Sequence, residues 1–438
     1  MTRTAALSAI AVVGAASLAS PALAAAPALL AHQAPLVIDN AATAWILTST
    51  ALVLLMTLPG LALFYGGMVR KKNIISVIAQ SAAAFAIVSV LWFLVGYSLS
   101  FGKGPEAVNG LIGGVQAAFL NGVTMETAHS LLPGLPELLF VSFQMTFAII
   151  TPALIAGAFA ERMKFSASLL FFALWHLIVY APICHQVWGG GYLGSLGVLD
   201  FAGGAVVHVS AGVAGLVCAL VLGPRHGFGR DNMAPANLVY SAIGTGLLLV
   251  GWIGFNAGSA GAADALAATA AFNTILAAGA AALSWMTVEW FDRKRPTLLG
   301  LLSGVVGGLV AITPAAGFVD PKGAFFIGLI AGPACYAGAV WLKHALKYDD
   351  SLDAFGVHGI GGIVGALLTG VFATTSVNAL SEGATVWKQA IGLGGAIAWS
   401  AVGTFVVLMI CKFTTGLRVT KDEEVEGLDY TQHGEAIH

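Results

Sequence analysis

Apolar residues fall along this chain in long blocks separated by short polar stretches. Beyond residue 24, eleven runs stand out, at about 42–65, 75–100, 137–159, 166–185, 203–223, 237–257, 267–290, 299–318, 324–342, 355–373 and 389–411. Each is long enough, or nearly so, to cross a bilayer as a helix, which takes about 20 apolar residues. The pattern predicts an all-α polytopic membrane protein with eleven transmembrane helices. The leader is different: Arg3, an apolar stretch over Ala5–Leu18, then Ala22-Leu23-Ala24, a small-x-small cleavage pattern. Residues 1–24 therefore read as a cleaved signal peptide, too short to span, which puts the mature N-terminus outside the cytoplasm.

Charge supports that orientation. With the first run starting outside, the inner loops and tail hold fifteen Lys and Arg residues, Arg70, Lys71, Lys72 and Arg293-Lys294-Arg295 among them, against Lys103, Lys322 and Lys388 outside. This is the asymmetry that the positive-inside rule requires. The expected organisation is a membrane domain over residues 25–415 and a cytoplasmic tail over 416–438. Five runs, then five runs, each set closing on a histidine-bearing segment, suggest an inverted 5+5 repeat plus one C-terminal helix. The match between the halves is weak, because Asp200 precedes His208 by eight residues whereas Asp353 precedes His358 by five.

Composition narrows the class further. Of 438 residues 58% are hydrophobic and 9% charged, which excludes a soluble globular domain. The 55 glycines include pairs at helix-packing spacing, Gly254 with Gly258, Gly304 with Gly308 and Gly361 with Gly365, which let backbones approach within a membrane. A net charge of −2 with one short basic tract argues against a nucleic-acid partner. Four cysteines without CxxC spacing make neither a disulfide framework nor a metal site. No phosphate loop, zinc-ligand spacing or nucleophile elbow points to an enzyme, and nothing calls for a cofactor.

The candidate chemistry lies in polar residues placed where polarity is costly. His208 and His358 sit inside Gly-rich apolar runs, and intramembrane ionisable groups mark substrate or proton paths when they face protein. An imidazole titrates at about 6.5, so it exchanges protons readily. Spacing alone leaves open whether the two rings touch. Aromatics at Phe147, Trp188, Trp252 and Phe255 serve equally as packing or as an interfacial belt. Trp188, however, shares a loop with Asp200, and that loop contains no Lys or Arg, a combination suited to a cation at an outer mouth. Asp200 also stands where a helix N-cap belongs, and Asp353 reads as a second cap. The tail after Thr415 is acidic and poor in apolar residues, so composition alone describes a solvated, unstructured end.

Several motifs then occur in one order. Phe143-Gln144-Met145-Thr146-Phe147-Ala148, Ala160-Glu161-Arg162, Trp188-Gly189-Gly190-Gly191, Leu199-Asp200-Phe201-Ala202-Gly203-Gly204, Val207-His208, the stretch from Gly251 to Gly261 and Asp353-Ala354-Phe355-Gly356-Val357-His358-Gly359 resemble the ammonium transporter (Amt/Mep/Rh) family, and within it the bacterial Amt proteins. The resemblance spans essentially the whole mature chain and continues into the tail. It implies a homotrimer in the bacterial inner (plasma) membrane with one conduction path per subunit. Trp188, Phe147 and Ser259 would form an outer ammonium site held electrostatically by Asp200. Phe147 and Phe255 would form a stacked gate. His208 and His358 would line the pore as paired imidazoles, with Trp252 and Thr313 as walls. The substrate would be ammonium, with methylammonium as analogue, and the ordered tail would couple subunits and help a PII-type regulatory protein dock. Ile253, where an aromatic is common, and Met145, bulkier than usual, depart from the pattern.

The arrangement has a physical logic. Ammonium is close in size to bare potassium, but it donates hydrogen bonds and surrenders a proton, which potassium does not. Cation–π contacts contribute about 2 kcal/mol when desolvated, against a burial penalty of several kcal/mol for an unpaired ion. Splitting the cargo into neutral ammonia and a relayed proton lowers the barrier, and the inward proton gains about 2.3 kcal/mol per 100 mV. An ammonium sensor using the same outer site and a channel for a small neutral solute are the competing readings. The absence of a signalling domain after the eleventh run weighs against the first, and the Trp188, Asp200 and Ser259 set against the second.

Overall fold

A computed structural model describes residues 37–437, and the expected signal peptide lies outside them. The described chain is helical. Among these residues the only β pairing is two isolated bridges, Met163 with Arg418 and Val319 with Ala373. Seven helices come first: α1 (Asn40–Met68), α2 (Lys71–Phe101), α3 (Glu137–Phe159), α4 (Phe165–Ser195), α5 (Gly204–Leu222), α6 (Leu238–Gly258) and α7 (Ala265–Arg293). A shorter α8 (Leu298–Ile312) follows, then α9 (Pro321–Leu346), α10 (Phe355–Phe372) and α11 (Val386–Thr414).

Ten of these helices are long and apolar enough to cross a membrane, and α8 is the exception. The run expected over 299–318 gives only 15 helical residues, about 22 Å at 1.5 Å per residue. Pro314 has no N–H with which to continue the ladder, and the chain proceeds through Phe318 in turns.

Close backbone contact holds the helices together. A Cβ on Gly308 would lie 2.5 Å from the Ala277 carbonyl oxygen of α7, and one on Gly365 would lie 2.1 Å from that of Ala311 in α8. The expected small-residue packing is therefore real at these crossings. α3 and α5 are the most enclosed of the ten spans and α11 the least, so most residues of α3 and α5 face protein.

The two histidine helices open alike. α5 begins with π-helical turns over Gly204–Val209 and α10 with π-helical turns over Phe355–Gly359, wide turns that often occur at functional positions. Each start is capped by an aspartate eight residues before its histidine. Asp350 accepts hydrogen bonds from the N–H groups of Ala354 (3.1 Å) and Phe355 (2.7 Å). Asp353, the cap expected from sequence, instead adopts φ 59° and pairs with Lys343 of α9. The likeness between the two histidine helices is thus Asp200 to His208 and Asp350 to His358, with equal spacing.

The loops on the tail face converge on a buried ion cluster. Glu161 bonds Arg70 at 2.7 Å and Arg225 at 3.2 Å, while Arg225 pairs with Asp349 at 2.8 Å. Arg162 donates to the Asp349 carbonyl and the Ser351 hydroxyl, each at 2.6 Å. Burial opposes ionisation of Glu161 and Asp349, yet the arginines hold both carboxyls below the usual carboxylate range.

The tail is ordered against this face, contrary to what its composition suggests. A capping box joins Thr420 and Glu423 at the start of α12 (Lys421–Glu426), and α13 (Leu428–His433) follows. Asn73 accepts from the Leu428 N–H at 2.9 Å, and the Ser76 N–H donates to Asp429 at 2.8 Å. Arg418 pairs with Glu424 at 2.7 Å and donates to the Leu222 carbonyl at 2.9 Å. The tail's carboxylates and amides are matched to groups far upstream, which offsets its lack of apolar area.

Candidate functional site

At the end of the molecule away from the tail a cavity of about 490 Å³ opens among α3, α6 and the loop between α4 and α5, and Phe143, Phe147, Trp188, Asp200 and Ser259 line it. Below it the aromatic rings continue inward. Phe147 meets Trp188 edge-on with centroids 5.9 Å apart and stacks on Phe255 at 4.1 Å. Phe255 lies 6.1 Å from His208, and His208 lies 5.4 Å from His358 with the two planes 16° apart. Phe147, Phe255, His208 and His358 are all buried. The sequence candidates, drawn from five separate segments, form one column.

Local geometry explains how each is held. Gly203 takes φ 110°, a left-handed turn that a side chain would strain. This turn lets the Asp200 carboxylate fold back over the α5 start, where Oδ1 accepts from Gly203 (2.9 Å) and Gly204 (2.5 Å) and Oδ2 accepts from Ala205 (2.8 Å) and Val206 (3.1 Å). Burial pushes this carboxyl above the usual range while the four amides act in the opposite direction. Asp200 therefore reaches the cavity through its field and through its carbonyl oxygen, which accepts from Trp188 Nε1 at 2.8 Å.

Ser259 follows the end of α6, and its hydroxyl donates to the Phe255 carbonyl at 2.8 Å, leaving the oxygen's lone pairs free to accept. Trp252 lies against His208, centroids 5.2 Å apart and planes 20° apart, and donates through Nε1 to Thr313 at 2.8 Å. Thr313 in turn donates to the Leu309 carbonyl at 2.7 Å. The imidazoles have no such support: both His208 nitrogens and His358 Nδ1 are buried without a hydrogen-bond partner among the described residues. Such groups are costly unless a ligand meets them.

The two histidine helices meet through bare backbone at this level. A Cβ on Gly212 of α5 would lie 2.2 Å from the Gly359 nitrogen of α10, so α5 and α10 touch one turn from His208 and beside His358.

This geometry agrees with the comparisons to known proteins. A family model described as the Ammonium Transporter Family matches residues 44–437. The chain belongs to that family. An ammonium transporter of Bacillus subtilis (strain 168) is 49% identical over 410 residues, covering 90% of this chain and 98% of its own length. One from Aquifex aeolicus (strain VF5) is 48% identical over 410 residues, covering 92% and 94%. Among solved structures, Mep2 of Saccharomyces cerevisiae has a TM-score of 0.81 at 38% identity, with 88% of each chain covered. The chain is accordingly an ammonium transporter and not an enzyme.

Two features of this ammonium transporter escape sequence reasoning. Asp350 is one. The other is Gln389, buried in α11, which accepts from the Leu199 N–H at 2.7 Å and donates to the carbonyls of Leu199 (2.7 Å) and Ala366 (3.2 Å). It pins the segment next to Asp200. The signal for it is legible as a lone polar residue at the start of the eleventh apolar run. Met145 and Ile253, the two departures from the family pattern, are partly buried and do not line the outer cavity.

Proposed function

We propose that ammonium is recruited in the cavity by Trp188, Phe147 and Ser259, with Asp200 supplying a favourable field. It loses its proton at the Phe147–Phe255 stack and continues as ammonia past His208 and His358, flanked by Trp252 and Thr313. The freed proton passes to an imidazole nitrogen and is relayed between the rings. The observation that carries this reading is the unbroken column of rings from Trp188 to His358, in which both His208 nitrogens and His358 Nδ1 have no hydrogen-bond partner among the described residues. The faces at the mouth suit a cation, and the apolar interior suits a neutral molecule. Net charge movement follows. Proteoliposomes given ammonium are expected to show an inward current, with methylammonium as a weaker analogue and none for potassium. Passage of ammonia with no ammonium-evoked current would overturn the relay.

We further infer that α8, extended by the turns up to Phe318, makes an eleventh crossing, and that the first ten form an inverted 5+5 repeat. The matched spacing of Asp200 to His208 and Asp350 to His358 supports the repeat. In this reading the leader 1–24 is cleaved, residues 25–415 form the membrane domain of a homotrimer in the bacterial inner membrane, and the N-terminus is periplasmic. The tail 416–438 lies in the cytoplasm, where it couples subunits and helps a PII-type protein dock. The basic loops on the tail face support that orientation. Deleting the residues after Gly416 is expected to alter transport or its regulation, and normal behaviour in both would overturn the tail's role.

A further inference from the structure

We propose that Gln144 supplies a second hydrogen-bond acceptor to ammonium in the outer cavity, alongside Ser259. The proposal rests on the reading of that cavity as the ammonium site. α3 turns Phe140, Phe143, Gln144 and Phe147 toward the cavity, a spacing that places all four on one helix face. Gln144 is the polar member of this stripe. Its Oε1 is buried and has no hydrogen-bond partner among the described residues. A buried amide oxygen without a donor is destabilising, so one retained at a cavity wall points to a ligand that donates.

The other polar side chains lining the cavity are committed elsewhere. Trp188 Nε1 donates to the Asp200 carbonyl, and the Asp200 carboxylate is taken by four amides. The Asn378 oxygen accepts from the Leu380 N–H. Ser259 gives its proton to Phe255 and retains lone pairs. Two side-chain acceptors therefore remain for the cargo, Ser259 Oγ and Gln144 Oε1, the latter enclosed in the cavity wall and brought to the cavity by a turn of the amide. Aromatic faces attract the charge of ammonium without fixing its orientation, whereas two oxygens receive two of its four N–H groups and orient it above the Phe147–Phe255 stack. Methylammonium has three N–H groups and a methyl, so it depends less on an oxygen at this position.

The test is current recording on proteoliposomes of the full chain and of Gln144→Leu, Gln144→Met, Gln144→Glu and Ser259→Ala, with ammonium and methylammonium. Loss of a hydrogen bond to a charged group is expected to raise the half-saturating ammonium concentration of Gln144→Leu about tenfold, and that of methylammonium less, about threefold. Gln144→Met decides the point if Gln144→Leu does not fold. Gln144→Glu presents oxygen at both terminal positions whichever way the amide is turned, and is expected to bind ammonium at least as well as the parent. Equal shifts for the two cations, or no rescue by Gln144→Glu, would overturn the proposal. An effect of Ser259→Ala with none at position 144 would overturn it while leaving the outer site intact. No effect of any of these substitutions would remove the outer site itself, and the proposal with it.

Discussion

The rings of His208 and His358 lie within 16° of parallel with centroids 5.4 Å apart, although α5 and α10 are separated by four intervening helices. No aromatic or hydroxyl group of the described residues satisfies the His208 nitrogens, so the pair is available to a mobile proton. Replacing both with alanine is expected to abolish proton-coupled selectivity. The measurement is the current evoked by ammonium and by potassium in proteoliposomes. Parent-like ammonium current with potassium still excluded would contradict the relay.

Trp188 closes the outer end of the column. Trp188→Leu removes a desolvated cation–π face of about 2 kcal/mol, which corresponds to roughly thirtyfold in affinity. Half-saturating ammonium should rise accordingly in current recordings. A shift under twofold would mean that the indole packs and does not bind.

The two aspartates before His358 separate cleanly. Asp350→Ala strands the Ala354 and Phe355 amides at the α10 start and should cost about 1–3 kcal/mol. Asp353→Ala breaks a partly exposed pair with Lys343 and should cost under about 1 kcal/mol. Thermal unfolding in detergent ranks them, and the reverse order would disprove the cap assignment.

Acid should loosen the tail face. Folding lowers the carboxyl pKa of both Glu161 and Asp349, so their contribution is complete above the ordinary carboxylate range and fades as pH falls through the lowered values. Asp349→Asn removes one of the two carboxylates that pair with Arg225, with Glu161 remaining, and should cost about 1–3 kcal/mol near neutral pH. It should also flatten the loss of melting temperature on acidification. An unchanged acid slope would show that the cluster does not govern it.

Sequence legibility follows the range of the signal. Crossing helices and polar intrusions such as His208 and His358 are visible because block length and residue type are local. Asp200 is legible as a cap because the Gly203-Gly204 turn lies beside it. Asp350 is not, since choosing it over Asp353 depends on a positive φ and on Lys343 reaching across from α9. The order of the tail is hidden from composition, though the family resemblance implies it, because Leu428 and Asp429 are held by Asn73 and Ser76, groups near the other end of the chain. α8 falls short for a nearer reason: one proline inside an apolar run does not lower its hydropathy enough to mark the break.

Because Gly212 and Gly359 bring α5 and α10 into direct backbone contact, the two main chains that carry the imidazoles cannot approach further, and a side chain at either glycine would drive them apart. That contact sets the backbone frame of the proposed passage at this level. Room for a bulkier amine would have to come from smaller side chains around the rings, since parting the frame itself means shifting a complete helix.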